Sequence, residues 1–549
     1  MKLSNLRFTN GFGSGSPGSD YGGVLKCAYG SKGNTITIIG DNVSFENSYA
    51  KGRGGALYGY NQNFDIRGAS FINNKSSWGG ALYTAEGYVK LQDTLFEGNI
   101  GTDRGAAIYS AATQDVTLSG KNVFRNNYAG AFGAGIWASD ARVILEGENL
   151  FEGNHVGDYG SNNAKGAAIM SKGVTLSGNN TFLNNYTHSN GGKDSGGAIY
   201  SQGGDVVFKG DGSTATFEGN TMGGVPNDIM LHGWADYGNG YEYRDIAVTI
   251  QDKGTYYFGG GIAEETAQST TALNIKDGAN VTFGGQSISN IDTMAVTNGA
   301  NVTFQSGAKL TVNNGATVNN ATLNLEGGVD VDGTISMENT TANFTAGPGV
   351  NGFSTIKADS FSGEVNVDLD GFTVGAMDGN TVTLIDGVKA ENVNITNGNL
   401  MTNANVDGKT AVTINQDKDG TTYGSAPVQE DTRVRIDFDE ADSLEVKDFS
   451  LLVDGKDIDL NKFADWLGKE TGLETAVGAG YVNVRLNDPF EIMKSDSFIW
   501  DFSAYDASAA LQFATVNIMD NAVPEPSTWA LLVLGGLGIL GMSRRNRKK

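Results

Sequence analysis

Three histidines, His155, His188 and His232, and a single cysteine, Cys27, hold all the imidazole and thiol chemistry of this 549-residue chain. No pair of them has the short spacing of a zinc site. Cys27 has no histidine nearby in sequence to act as a base, and a lone cysteine makes no internal disulfide. His155 and His188 follow the asparagine corners at Asn154 and Asn185 and read as loop histidines exposed to solvent. Asn415, Asp417, Asp419 and Gly420 open like a calcium loop, but its twelfth position is Ala426, where a bidentate Glu is required. A polar turn is the expected reading there, and Asp330-Val-Asp332-Gly333 is a weaker match still. No catalytic residue, metal site or cofactor is therefore assigned. The residues best suited to touch a ligand are Tyr159, Tyr186 and His188, in "HVGDYGSN" and "YTHSNGGKD". Their rings can stack on sugars, and projecting loops often carry binding. Insertions merely tolerated at a surface corner are the plain alternative.

Charge narrows the partners. There are 38 basic and 62 acidic side chains, a net −24; five of the basic ones lie in the last six residues, leaving 33 against 62, or −29, over residues 1–543. So acidic a surface repels phosphate backbones and excludes nucleic acid as a partner. With 79 glycines, 7 prolines and 39% hydrophobic residues, the chain reads as a turn-dense β protein with ample core-forming material.

The elements that must position these residues repeat. Gly-Gly-Ala-Leu or a close relative starts at Gly22, Gly54, Gly79, Gly105, Gly133, Gly166 and Gly196, with intervals of 32, 25, 26, 28, 33 and 30 residues. From the second copy on, an alternating apolar pair follows, such as Val89 and Leu91 or Val116 and Leu118, and then a Phe-x-x-Asn unit: Phe71 to Asn74, Phe96 to Asn99, Phe124 to Asn127, Phe151 to Asn154, Phe182 to Asn185 and Phe217 to Asn220. Three short strands with one or two inward side chains each cannot form an independent core, so each repeat must stack on its neighbours. Winding each repeat into one triangular turn places Leu57 over Leu82 over Ile108, and Phe71 over Phe96 over Phe124, about 4.8 Å apart. The expected fold is all-β: a right-handed single-stranded parallel β-helix, with glycine at one corner for positive φ and stacked asparagines at another.

The pairing of GGA[IL] with F-x-x-N over about residues 5–232 resembles the repeat of the polymorphic outer-membrane protein family, which displays autotransporter-like β-helical passengers on bacterial surfaces and is implicated in adhesion. Asn227-Asp228-Ile229 resembles the segment closing such arrays. The resemblance implies an adhesin-like or structural role, with polysaccharide, mucin-type glycan or another surface protein as partner. Since β-helices also host polysaccharide lyases and glycoside hydrolases, a glycan-cleaving enzyme is the alternative. Members of that family end in an outer-membrane barrel, whereas the C-terminal residues of this chain read differently.

Alternation persists over 245–425 in "DGANVTF", "NGANVTF" and "SGAKLTV", read as a second stretch of β-helix with shorter polar turns following the first at 1–244. Over 426–522 glycine thins and acidic residues crowd; Leu460, Phe463 and Leu467 have helical spacing, and the segment reads as a cap or small β-rich domain. The tail, 523–549, combines Pro524-Glu525-Pro526, fourteen apolar residues from Trp529 to Met542, and the basic cluster Arg544, Arg545, Arg547, Lys548 and Lys549. As a helix the apolar part is about 21 Å long, short of the ~30 Å hydrocarbon layer, with its basic end on the cytoplasmic side. In that order the three parts closely resemble the PEP-CTERM sorting signal. The resemblance implies recognition by exosortase, removal near Pro524-Glu525-Pro526, transient membrane anchoring, and a carrier left at the cell surface or in the extracellular matrix. Export normally begins with an apolar signal stretch, which residues 1–15 lack, so the expectation is that further turns and a signal peptide lie upstream of Met1.

Overall fold

A computed structural model describes residues 5–13 and 20–27, and then the chain from 34 to 344 with short gaps at 113, 158–163, 189–195, 237–240, 266–268 and 327; beyond 344 it describes separate strands and one helix. The chain divides into two compact units, Met1–Thr340 with Ala358–Ser362, and Thr341–Lys357 with Gly363–Lys549.

The first unit is a parallel β-helix, and its register follows the repeat. Leu25, Leu57, Leu82, Ile108, Ile136, Ile169, Ile199 and Ile229 lie opposite one another on successive rungs. A second column runs from Ile36 through Phe64, Val89, Val116, Val143, Val174 and Val206 to Val248. The third column is continuous across both arrays: Phe8, Phe45, Phe71, Phe96, Phe124, Phe151, Phe182, Phe217, Phe258, Phe283 and Phe304 stack with centroids 4.5–5.6 Å apart. Burying one such ring is worth about 1.5–3 kcal/mol, with about 0.5–1.5 kcal/mol more from each stacked pair, so the column is the main cohesive element.

The rung has four strands rather than the three expected. After each Asn corner runs a very short strand, often only two residues long, as in Tyr128–Ala129, His155–Val156 and Tyr186–Thr187. Two residues are too few to show a period, and the inward ones, such as Ala129, Val156 and Thr187, are small or polar, so no hydrophobic signal marked this side.

At the asparagine corner, hydrogen bonding along the stack and the left-handed turn fall to neighbouring residues. Asn74, Asn99, Asn127, Asn154, Asn185 and Asn220 are buried and point along the axis. Each Nδ2 donates to the next Oδ1 at 2.9–3.1 Å, ending on Asp228 Oδ1 at 3.0 Å. The same Nδ2 also donates to a phenylalanine carbonyl of an earlier rung, as Asn127 does to Phe96 O at 3.1 Å. The left-handed turn falls one residue earlier and alternates between Asn73, Asn126 and Asn184 and the glycines 98, 153 and 219. The alternation has a steric cause: a Cβ on Gly98 would lie 2.4 Å from Asn73 Oδ1, because that side chain occupies the space over the next rung.

In the second unit, Thr421–Tyr423, Gln512–Met519, Leu444–Asp454, Tyr481–Ile492 and Glu474–Val477 form an antiparallel five-stranded sheet. The helix expected near 459–470 is Leu460–Thr471. Asp459 caps it, accepting from the amides of Asn461 at 3.1 Å and Lys462 at 3.3 Å, and Phe463 and Leu467 are buried. The sequence 415–420 lies outside the described residues.

Candidate functional site

The short fourth strands position two of the three candidate ligand residues. The first residue of each strand faces outward, so Tyr128, His155 and Tyr186 form a column of half-buried rings. His155 stacks on Tyr186 at 5.0 Å and 9°, and His188 meets Tyr186 edge-on at 5.0 Å and 87°. The fold therefore brings Tyr186 and His188 together and adds His155; both histidines are half-buried instead of fully exposed. Tyr159 and the loops 158–163 and 189–195 lie outside the described residues.

A larger aromatic surface escaped the sequence reading. In each GGA[IL] word the aliphatic residue points inward and the next residue points outward, so Tyr58, Tyr83, Tyr109, Trp137, Met170 and Tyr200 form an outer column. It is buried all the same, 7% exposed at most. Its cover is the column of residues preceding each glycine word: Tyr21, Arg53, Trp78, Arg104, Phe132 and Lys165, adjacent rung to rung. Cations and rings alternate in that cover. The Arg53 guanidinium lies 4.4 Å from the Trp78 ring centre and 5.0 Å from that of Tyr83, and Arg104 lies 5.1 Å from Trp137 and 5.5 Å from Phe132. Each such contact is worth about 0.5–2 kcal/mol, more as water is excluded. Burial also pushes the Tyr83 hydroxyl well above the usual phenol range and raises that of Tyr109, against the pull of the nearby guanidiniums. The signal for this column is the Tyr or Trp after the aliphatic residue, but nothing local to an outward strand position tells whether another column covers it.

The same surface ends in a cluster assembled from distant sequence. The Glu265 side chain, 8% exposed, accepts from Lys165 Nζ at 3.0 Å and from the Tyr200 hydroxyl and has His232 Nδ1 2.9 Å away, while Lys165 Nζ also donates to that hydroxyl at 2.9 Å. Burial alone would raise the Glu265 carboxyl; His232, Lys165 and Tyr200 together outweigh it and hold the group below the usual range. Acid, base and cation are thus close together, yet each satisfies another. Cys27 is half-buried and its thiol is raised by burial, which leaves little reactive thiolate.

A second buried carboxylate, Asp228, ends the asparagine ladder. Its Oδ2 accepts from the amides of Gly260 at 2.6 Å and Gly261 at 3.1 Å. Complete burial pushes it up to about 7 against the pull of Asn220 and these two amides.

Residues 68–85 match the Chlamydia polymorphic membrane protein repeat, and residues 522–548 match the PEP-CTERM protein-sorting motif. No curated protein and no solved structure matches the chain. The repeat match runs from the Phe71–Asn74 corner through the glycine word to Ala85, and so takes in the inward Leu82, the outward Tyr83 and Trp78 of the cover. The sorting motif marks an exported protein directed to the cell surface. Pro524, Glu525, Pro526, Arg545, Arg547, Lys548 and Lys549 lie outside the described residues, and Arg544 is described only as part of the two-residue strand Ser543–Arg544. Among the described residues no helix is long and apolar enough to cross a membrane; the apolar stretch 529–542 lies outside them.

Proposed function

We propose that this chain acts at the bacterial surface or in the surrounding matrix as an adhesive or structural coil that holds polysaccharide or another surface component, without catalysis of its own. The observation that carries the reading is a sorting motif joined to a β-helix whose outer rings and cations are spent on stiffening its own faces. Export would deliver the coil, the segment 529–542 would hold it in the membrane with Arg544, Arg545, Arg547, Lys548 and Lys549 on the cytoplasmic side, and an exosortase-type enzyme would release it near Pro524-Glu525-Pro526.

One arrangement favours the second reading, a glycan-cleaving enzyme: Lys165, Tyr200, His232 and Glu265 are the residue types used for proton transfer. Against it stands their mutual engagement, since Glu265 already accepts from Lys165 and Tyr200 and has His232 Nδ1 2.9 Å away. Incubating the whole chain with acidic and mucin-type glycans separates the two. Retention without product supports the coil as a binder; new reducing ends or unsaturated uronates, abolished by Glu265→Gln in a folded protein, would establish the enzyme instead.

A further inference from the structure

The second strands of four consecutive rungs, Val89–Gln92, Val116–Ser119, Val143–Leu145 and Val174–Leu176, present an outer face with a shallow groove of about 470 Å³. That volume lies within the range of about 300–1,000 Å³ typical of small-ligand sites. It is formed where the residues entering successive strands change type. Tyr88, Asp115 and Arg142 occupy equivalent positions one rung apart, and the corners beside them contribute Asp140 and Lys172.

Four of the five charges lining the groove form two ion pairs. Arg142 Nη2 meets Asp115 Oδ2 at 2.8 Å, its backbone amide donates to Asp115 Oδ1 at 3.2 Å, and Lys172 Nζ meets Asp140 Oδ1 at 2.9 Å. Lys90 Nζ lies 4.9 Å from the Tyr88 ring centre. The Asp115 contact holds the Arg142 guanidinium above its ordinary value, so that group keeps its charge.

This chemistry selects among ligands. A polyanion would meet two neutralised pairs and the single further cation Lys90 on a chain of net −24, which is a poor match. A protein partner needs about 800 Å² per side, far more than a groove four rungs wide supplies. A hydroxyl both gives and takes a hydrogen bond, and therefore needs a donor and an acceptor side by side. A guanidinium has five N–H donors and a carboxylate about four acceptor positions, so a salt-bridged Arg–Asp pair retains both kinds for a ligand. The rungs repeat every ~4.8 Å along the axis. A chain of pyranose rings has a comparable repeat and, lying along the coil, passes about one rung of the groove per ring.

We propose that this groove binds a neutral hexose oligosaccharide lying along the coil axis, with Asp115–Arg142 and Asp140–Lys172 hydrogen-bonding its hydroxyls and Tyr88 closing one end. The proposal rests on the polysaccharide-holding reading above but assigns the contact to a different face from Tyr186 and His188.

The test is calorimetric titration of the full chain with cellohexaose, mannohexaose and hexagalacturonate. Saturable binding of at least one neutral hexasaccharide is expected, unaffected by added salt, and weakened about tenfold by Arg142→Gln or Asp115→Asn, in line with the loss of one charge-assisted hydrogen bond. Lys121→Gln, on the phenylalanine-strand face, is expected to bind as the parent does. Unchanged melting curves for the variants show that the coil is intact. Parent-like affinity of Arg142→Gln overturns the proposal, as does a salt-dependent preference for hexagalacturonate. If neither neutral sugar binds while the chain is retained on another glycan, the groove assignment fails and the surface reading stands; if no glycan is retained at all, both fail.

Discussion

The two stretches of the coil share an interior and differ on the outside. The phenylalanine column passes from Phe217 to Phe258 and on to Phe304 without a break. Other features stop near residue 230. The asparagine ladder ends on Asp228, the short fourth strands end with Thr221–Met222 and Val225–Pro226, and the outer aromatic column ends at Tyr200 and Met230. Rungs shorten accordingly, from 28 residues between Phe96 and Phe124 to 21 between Phe283 and Phe304. The inward columns are what a rung needs in order to stack. The ladder, the fourth strand and the cation-bearing cover are additions that lengthen a rung and give it a worked outer surface.

The comparison breaks most readily at the shared interior. Phe124→Ala and Phe283→Ala should each cost about 3–5 kcal/mol, read by denaturant unfolding of the whole chain; a much smaller loss at Phe283 would mean that the second stretch does not rely on the common column. The junction comes next. A carboxyl whose folded value is raised, as burial raises Asp228 to about 7, lends stability that is full below about 3.8 and is lost as pH rises through about 7. Relative to Asp228→Asn, the parent's melting temperature should therefore decline between pH 4 and pH 8, by the equivalent of at most about 4 kcal/mol. Parallel pH profiles for the two proteins would remove Asp228 from the account.

Smaller effects separate the outer devices. Asn127→Ala removes the side-chain acceptor of the Asn99 backbone amide, one of the two acceptors of Asn99 Nδ2 and a donor to the Phe96 carbonyl, and should cost about 1–3 kcal/mol. Asn301→Ala, whose side chain makes only exposed or half-buried contacts in the second stretch, should cost about 0.5 kcal/mol or less. Equal losses would show that the ladder adds nothing particular to the first stretch. Last, Arg104→Gln removes contacts to Trp78, Phe132 and Trp137 and should lower stability by about 0.5–1 kcal/mol, with faster exchange of the Trp137 backbone amide as the local readout.

Much of the interior was legible because a solenoid repeats each environment. Leu57, Leu82 and Ile108 recur in the same word, and so do Phe71, Phe96 and Phe124; the structure stacks both sets as their spacing requires. The fourth strand was not legible, since two residues with a small inward side chain carry no period. Nor was the division of labour at the asparagine corner: Asn73 and Gly98 look interchangeable in sequence, and only the contact across the rung shows that one makes room for the other. Of the candidate ligand residues, Tyr186 and His188 proved to be neighbours of His155, whose place in the same column is set by register rather than by sequence distance.

By itself the sequence determined the repeat, the inward face and the sorting motif, because each depends on residue types at short, fixed separations. Tertiary structure alone decided what lies on the outside: that Tyr58 and Tyr83 are covered, that Glu265 answers Lys165 from 100 residues away, and that Asp115 and Arg142 flank one groove. The reason is geometric. Coiling brings residues about 20–40 positions apart in this chain to within ~5 Å of one another, and which of them meet depends on the length of every corner between them.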